Sequence, residues 1–324
     1  MSACAGSRRE RCWNGCGSIS AMSGSGMETP AEAACPLCGA AGARLRYPGN
    51  PLPVRQCACG MVFLSPQPSP EQLREIYGSD YYLSLGISGQ DDEAVRGMKK
   101  ETFRRQFEAI AAGAKPGRVL DVGCASGFFM EAATEAGWEA YGVELSGFAA
   151  ELARSRFGDR VRHGTLEEAG YPDAFFDVVT LFDLLEHVPD PRSFLAEVRR
   201  VLRPGGRLLL VLPNAASLSA RLMGRHWSHY NAEHLHYFTP ETVAVLLCAC
   251  GFEVEGVASA PKCLNLAYIF NQFRRYPSAL VTPLRVIAER LLPNRMKSRN
   301  LRLHCGEMLV TARSGAAPHP PDLH

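Results

Sequence analysis

Seven short apolar runs punctuate this chain, near residues 118–123, 138–144, 160–164, 176–182, 205–212, 253–259 and 307–312. Valine and leucine are concentrated in 118–123, 176–182 and 205–212, where charges are few, as in buried strands. Between them, apolar positions recur at helical spacing over 127–136, 147–157 and 192–201, and a charged amphipathic stretch over 92–113 precedes the first run. After residue 238, Thr239-Pro240-Glu241-Thr242 reads as an N-cap followed by proline at the first helical position, and Gly251 ends that helix. Strands alternating with helices predict an α/β fold on a parallel, doubly wound sheet. An insertion at about 262–304 breaks the rhythm before the last run. It holds nine basic residues, from Lys262 to Arg302, against Glu289 alone, with Tyr268, Phe270, Phe273 and Tyr276 near its start. A basic helical insertion fits peripheral contact with an anionic membrane, a grip on a phosphorylated substrate, or a plain cap packed on the sheet edge with its arginines in water.

The first run carries the candidate chemistry. Residues 119–129 read Val-Leu-Asp-Val-Gly-Cys-Ala-Ser-Gly-Phe-Phe, a buried strand, a Gly-rich turn and the start of a helix. Glycines let the backbone approach a ligand closely, and a helix N-terminus offers free N–H groups. Tyr141-Gly142-Val143-Glu144 closes the second run on an acid placed to accept two ribose hydroxyls. A nucleoside-bearing cofactor is expected. A nicotinamide or flavin site would want G-x-G-x-x-G. Here Asp121 stands two residues ahead of Gly123, where it would repel a pyrophosphate and suit a ligand carrying an ammonium group and a sulfonium.

This turn resembles the first motif of the class I S-adenosylmethionine-dependent methyltransferases, D-x-G-x-G-x-G, with Ala125 in place of the middle glycine. Residues 175–191 resemble that family's fourth strand and the loop after it, and 202–213 its next turn and fifth strand, so the likeness covers roughly 100–313. It implies a Rossmann-like, seven-stranded sheet with six parallel strands and an antiparallel last one. It also implies S-adenosyl-L-methionine as cofactor. Asp121, Gly123 and Gly127 would then face the methionine part and Glu144 would hold the ribose, with Cys124, a small apolar residue of the same turn, also among the cofactor-binding positions. Thr165 stands where many relatives place an adenine-contacting aspartate, and Asp183 would lie near the cofactor. A Glu-His pair like Glu186-His187 follows the same strand in small-molecule O-methyltransferases of the ubiquinone-biosynthesis type, where the acids can serve a divalent metal. His187 would be nearest the acceptor. Residues 226–238, with four histidines, resemble the segment that lids the substrate pocket, and His234 is the candidate general base there. Both histidines also read as packing or capping residues.

Composition narrows the class. A net charge of +2 argues against broad nucleic-acid binding, and no apolar run is long enough to span a membrane. Residues 1–30 are rich in Gly and Ser and lack the apolar core of a secretory signal, so they read as a disordered extension; Met22 and Met27 are alternative starts. The tail at 314–324 reads as disordered too. Twelve cysteines at uneven spacing in a chain of 324 residues do not read as a disulfide scaffold, which points to the cytoplasm.

Four of those cysteines form a second motif. Cys35-Pro-Leu-Cys38-Gly and Cys57-Ala-Cys59-Gly are two knuckles able to face one structural Zn²⁺, as in a zinc-ribbon-like module over 31–70 followed by a helical linker over 71–115. The second knuckle is C-x-C where C-x₂-C is the rule, and four free thiols remain the alternative. The segment after it resembles the one joining such ribbons to bacterial methyltransferase domains, many of them associated with polysaccharide or secondary-metabolite pathways. The leading expectation is therefore O-methylation of a small molecule, such as a sugar, glycan precursor or secondary metabolite. An rRNA methyltransferase, suggested by the Cys-Pro-Leu-Cys start, and a non-catalytic cofactor-binding regulator are the alternatives. The sequence leaves the oligomeric state open.

Overall fold

The computed structural model describes residues 33–48, 52–69, 72, 93–111, 114–227, 229–231, 233–266, 268–270, 281–297 and 299–315. The expected N-terminal extension, most of the tail, and the aromatic and basic stretch around Phe273 to Tyr276 lie outside these residues. Three short strands come first, β1 (Arg44–Tyr47), β2 (Val54–Gln56) and β3 (Val62–Leu64). Helix α1 (Glu93–Ala111) follows, then β4 (Arg118–Val122), α2 (Phe128–Glu135), β5 (Glu139–Glu144), α3 (Gly147–Phe157) and β6 (Val161–His163). The second half holds β7 (Phe176–Phe182), α4 (Pro191–Val201), β8 (Leu202–Pro213), α5 (Leu218–Met223), β9 (His236–Tyr237), α6 (Pro240–Ala249) and β10 (Phe252–Ser259). It closes with β11 (Lys262–Asn265), α7 (Val281–Leu291), α8 (Asn294–Lys297), β12 (Asn300–Leu303) and β13 (Glu307–Ser314).

Seven strands form one sheet in the order β10-β13-β8-β7-β4-β5-β6. Of these, β13 runs antiparallel to both its neighbours, and the other pairings are parallel. The chain starts the sheet at β4, winds outward through β5 and β6, then crosses back to place β7 on the other side of β4. The winding direction thus reverses between β4 and β7, and in open α/β sheets that crevice, at the carboxyl ends of the strands, is where ligands bind. The helices start where local chemistry provides for it. The Asp190 carboxylate accepts from the N–H groups of Arg192 (3.1 Å) and Ser193 (3.2 Å) with Pro191 next in line, and Thr239 and Thr242 make a reciprocal box at the start of α6.

Two sequence expectations change. The supposed linker helix is part of the core: Met98 and Phe107 are buried, Phe103 and Phe107 pack edge-on against Phe129, and Arg96 pairs with Glu131 of α2 at 2.6 Å. Truncating Phe129 would cost about 3–5 kcal/mol. The insertion is not purely helical either, because β11 and β12 pair antiparallel at its root, from Lys262↔Leu303 to Asn265↔Asn300. The N-terminal strands do not close on themselves. β9 joins them as a fourth strand, in the order β1-β2-β3-β9, with Leu64 N donating to the Leu235 carbonyl at 2.9 Å.

Candidate active site

The turn after β4 is held open by backbone geometry. Gly123 (φ +76°), Ala125 (φ +46°) and Gly127 (φ +85°) all take the left-handed region. At Gly127 a Cβ would also meet the Phe157 ring at 2.8 Å, so glycine is required twice over. Asp121 is buried beneath the turn and its Oδ1 accepts from Thr180 Oγ1 at 2.8 Å. Burial raises its pKa to about 8, the Thr180 hydroxyl opposes that shift, and the neighbouring Glu144 charge adds to it. Glu144 is buried at the end of β5, where one carboxylate oxygen accepts from Ala125 N and the other from Ser146 N, each at 2.8 Å. That pairing locks the two turns together and leaves lone pairs on both oxygens.

Two expected cofactor residues stand differently. The Cys124 thiol is buried against Gly142 and Met130, and a Cβ on Gly142 would meet its Sγ at 2.6 Å, so the side chain of Cys124 packs in the core beneath the turn. Its N–H, like that of Gly123, donates to the Val143 carbonyl. Thr165 lies beyond β6, exposed, where its N–H donates to Glu168 Oε2 and its hydroxyl accepts from Glu168 N. Ser126 is one residue of the crevice that no sequence signal singles out. Its Oγ is buried in the turn with no partner, an orphan that a ligand's polar group would satisfy.

The loop after β7 lies next door, since Val122 of β4 is in register with Leu181. Asp183 takes a left-handed φ of +48°, unusual for a residue with a side chain, and its N–H donates to the Val211 carbonyl. Leu184 then covers Gly123. Glu186 follows, fully buried, with both carboxylate oxygens lacking a partner. His187 makes a 2.9 Å hydrogen bond through Nδ1 to the Glu233 carbonyl, which turns Nε2 toward Glu186, 4.0 Å from Oε1. The 226–238 segment meets this loop directly: Leu235 N donates to the Glu186 carbonyl at 2.8 Å, and His236 Nε2 donates to that of Val188 at 2.9 Å. The His187 and His234 rings are 4.6 Å apart, edge to face, and the His229 ring stacks on His234 at 5.5 Å. His234 Nδ1 is buried without a partner. Burial lowers His187 and His229 to about 4 and His234 well below its ordinary value, and it raises Glu186 well above the carboxylate range, with Asp183 adding repulsion. Burial thus favours the neutral form of all four groups.

A cation reaches the same place from the insertion. Lys262 Nζ pairs with Asp183 Oδ2 at 3.0 Å and with Glu307 Oε1 at 2.5 Å. Lys262 belongs in sequence to the basic set of the insertion, but β11 turns it toward these two acids. Glu307 is buried at the head of β13, its pKa raised by burial to about 7 against the pull of Lys262, and its second oxygen has no partner. Neither residue belongs to a motif. Each is brought in by strand pairing alone.

Among the described residues, two groups of side chains could hold a metal. Glu186, His187 and His234 each offer one ligand atom, all within 4.8 Å of one another. Away from the crevice, the sulfurs of Cys35, Cys38, Cys57 and Cys59 converge within the same limit, with contacts of 3.6 Å (Cys35–Cys59) and 3.5 Å (Cys38–Cys57). Sulfurs on a zinc tetrahedron stand ~3.8 Å apart, so the C-x-C knuckle does bring both its thiols to the centre.

Residues 95–257, half of the chain, match the family described as a methyltransferase domain. The chain belongs to this family. It is 31% identical over 178 residues to an S-adenosylmethionine-dependent methyltransferase of Mycolicibacterium smegmatis, covering 53% of this chain and 67% of that protein. A ubiquinone biosynthesis O-methyltransferase of Thiobacillus denitrificans is 40% identical over 151 residues, covering 43% and 65%, and one from Aromatoleum aromaticum is 40% identical over 103 residues, covering 30% and 44%. The chain thus spans less than two thirds of the two ubiquinone-pathway proteins. Among solved structures, a chain of the Haloferax volcanii complex between the Trm112 methyltransferase activator and a methyltransferase superposes with a TM-score of 0.53 at 16% identity, covering 76% of this chain and all of that one. At that identity the likeness concerns the fold.

The methyltransferase uses S-adenosylmethionine, the cofactor named for its Mycolicibacterium smegmatis relative. The crevice fits that cofactor on its own terms, with left-handed turns, an orphaned Ser126 hydroxyl and two buried acids. No helix among the described residues is long and apolar enough to cross a membrane.

Proposed function

We propose that the methyltransferase moves the methyl group of S-adenosylmethionine to an oxygen of a small molecule held between the β7 loop and the 226–238 segment. One observation carries this reading: Glu186 and His234 present three buried polar atoms without partners, beside the cofactor turn. Such atoms are costly until an occupant supplies hydrogen bonds, and an acceptor hydroxyl does so. Asp121 and Glu144 would hold the methionine ammonium and the ribose, with Ser126 completing the cradle. The cofactor supplies an activated methyl on sulfur, and the protein's task is alignment and removal of one proton. His187, kept in one tautomer by the Glu233 carbonyl, and His234, neutral at physiological pH, are the groups able to take that proton. The likeness to ubiquinone-pathway O-methyltransferases supports oxygen as the acceptor atom. Sugars, glycan precursors and other hydroxylated metabolites all fit.

The same cluster suits a divalent cation as well, with Glu186, His187 and His234 as ligands, and a metal there would lower the pKa of an acceptor hydroxyl. The four cysteines suit a structural zinc ion, since four sulfurs leave no open position. The test is transfer of labelled methyl to panels of hydroxylated small molecules and of RNA, with His234→Gln and Glu186→Gln alongside. Labelling of a small acceptor that both substitutions abolish is the expected result. Labelling of RNA alone would overturn the acceptor class.

A further inference from the structure

We propose that the four-cysteine centre is a positioning device for the acceptor half of the crevice: the metal it holds fixes the strand that places His234, and the cofactor turn does not depend on it. The link is β9 and the residue before it. The Leu235 carbonyl accepts from Leu64 N of β3 at 2.9 Å, while the Leu235 N–H donates to the Glu186 carbonyl at 2.8 Å. His236 and Tyr237 then lie in register with Phe63 and Val62 of β3, and the His236 ring reaches the Val188 carbonyl at 2.9 Å. One short strand is thus pinned on one side by the N-terminal sheet and on the other by the loop that carries Glu186 and His187. His234 stands immediately ahead of it. Its N–H donates to Asn231 Oδ1 at 3.0 Å, and the Asn231 carbonyl accepts from the Tyr237 hydroxyl at 3.1 Å.

Side chains make the same connection. Tyr47 of β1 packs on Tyr230 with ring centres 5.3 Å apart, Tyr230 on Trp227 at 5.2 Å, Trp227 on His229 at 4.8 Å, and His229 on His234 at 5.5 Å. Val54, Val62 and Leu64 share one buried cluster with Trp227, Leu235 and Tyr237. Among the described residues, no strand of the N-terminal sheet pairs with the seven-stranded sheet that carries the cofactor turn. The N-terminal sheet therefore acts on the crevice from its acceptor side.

The cysteines are what tie that sheet together. β2 and β3 have three residues each, too few to order themselves as a hairpin. Cys57 and Cys59 stand in the turn that joins them, and Cys35 and Cys38 in the turn ahead of β1. A tetrahedral ion clips one turn to the other, so its binding energy becomes ordering energy for β3. Both turns rest on the main domain. The Arg192 guanidinium of α4 donates to the Leu37 carbonyl, and a Cβ on Gly60 would touch Thr242 of α6 at 3.8 Å. Without the ion, four thiols within 4.8 Å of one another have only weak S–H contacts to hold the turns in place. The consequence for methyl transfer rests on the acceptor reading above, whereas the placement of the strand is tested without any transfer.

The experiment loads the full chain with Zn²⁺, or with Co²⁺ as a spectroscopic reporter of thiolate coordination, strips it with a chelator and loads it again. Hydrogen exchange is followed by mass spectrometry over residues 233–238 and 121–144 in each form, and S-adenosylhomocysteine affinity is measured by calorimetry. A double variant, Cys38→Ser with Cys59→Ser, changes the two exposed cysteines and keeps the buried Cys35 and Cys57. Stripping, and the double variant, should speed exchange over 233–238 about tenfold or more, with recovery on reloading the wild type alone. Exchange over 121–144 and cofactor affinity should stay within about twofold. A folded chain that binds neither ion, or a stripped chain whose 233–238 segment exchanges as slowly as the loaded one, overturns the proposal. Equal loss of protection over 121–144, with loss of cofactor binding, overturns it in favour of an ion that holds the whole fold. Because exchange is read without an acceptor, failure of methyl transfer in the acceptor panels contradicts the acceptor reading alone.

Discussion

The cofactor half and the acceptor half of this crevice are built in opposite ways. The first is local: residues 121–144 supply the turn and both acids, and three left-handed backbone positions fix their geometry. Its charged groups already have partners, Asp121 in Thr180 and Glu144 in two backbone N–H groups. The second is assembled from the β7 loop, the 226–238 segment, β11 and β13, and leaves polar atoms of Glu186, His234 and Glu307 buried without partners. A preorganised half and a half awaiting its occupant suit a shared cofactor and a particular acceptor. Binding energy for the cofactor is stored in the fold, whereas the acceptor must complete its own site.

The division has consequences that can be broken one at a time. Glu144→Ala removes the ribose acceptor and leaves Ala125 N and Ser146 N without partners, so S-adenosylhomocysteine affinity should fall about a hundredfold or more by calorimetry. Glu186→Gln should leave that affinity within about twofold while methyl transfer drops by about a hundredfold. Equal damage to both functions by Glu186→Gln would erase the distinction between the halves. Cofactor affinity should also depend on pH through Asp121. With the free carboxyl titrating at about 8, it is neutral at lower pH, and an ammonium group binds its ionised form. Affinity should then rise about eightfold from pH ~6.5 to ~7.5, and Asp121→Asn should flatten the rise. The smallest effect is expected at Lys262→Met, which leaves Asp183 and Glu307 facing each other. Lys262 and Asp183 are partly exposed, so the loss should be about 1–2 kcal/mol, read as a lowered Tm with cofactor affinity retained.

The same contrast explains what could be read from the sequence. The alternation of runs and helices predicts the sheet and its order of elements, since β4 to β8 are local periodic segments. The cofactor turn was legible because its glycines and acids are contiguous. At Cys124 the motif position says nothing about which way the side chain points, and its thiol faces Gly142. Lys262 and Glu307 carry no signal of their own, because their meeting with Asp183 depends on pairings between distant strands, Glu307 with Pro213 and Lys262 with Leu303. The N-terminal strands looked like a separate module. Their sheet is completed by β9, whose pairing with Val62 and Phe63 no local pattern announces.

The most direct test of the account is calorimetric titration of the full chain with S-adenosylhomocysteine, beside the Glu144→Ala variant. The account predicts one binding event per chain in the wild type and its loss in a variant that remains folded by circular dichroism. A folded wild type that takes up no ligand, or a variant that binds as tightly as wild type, would contradict it.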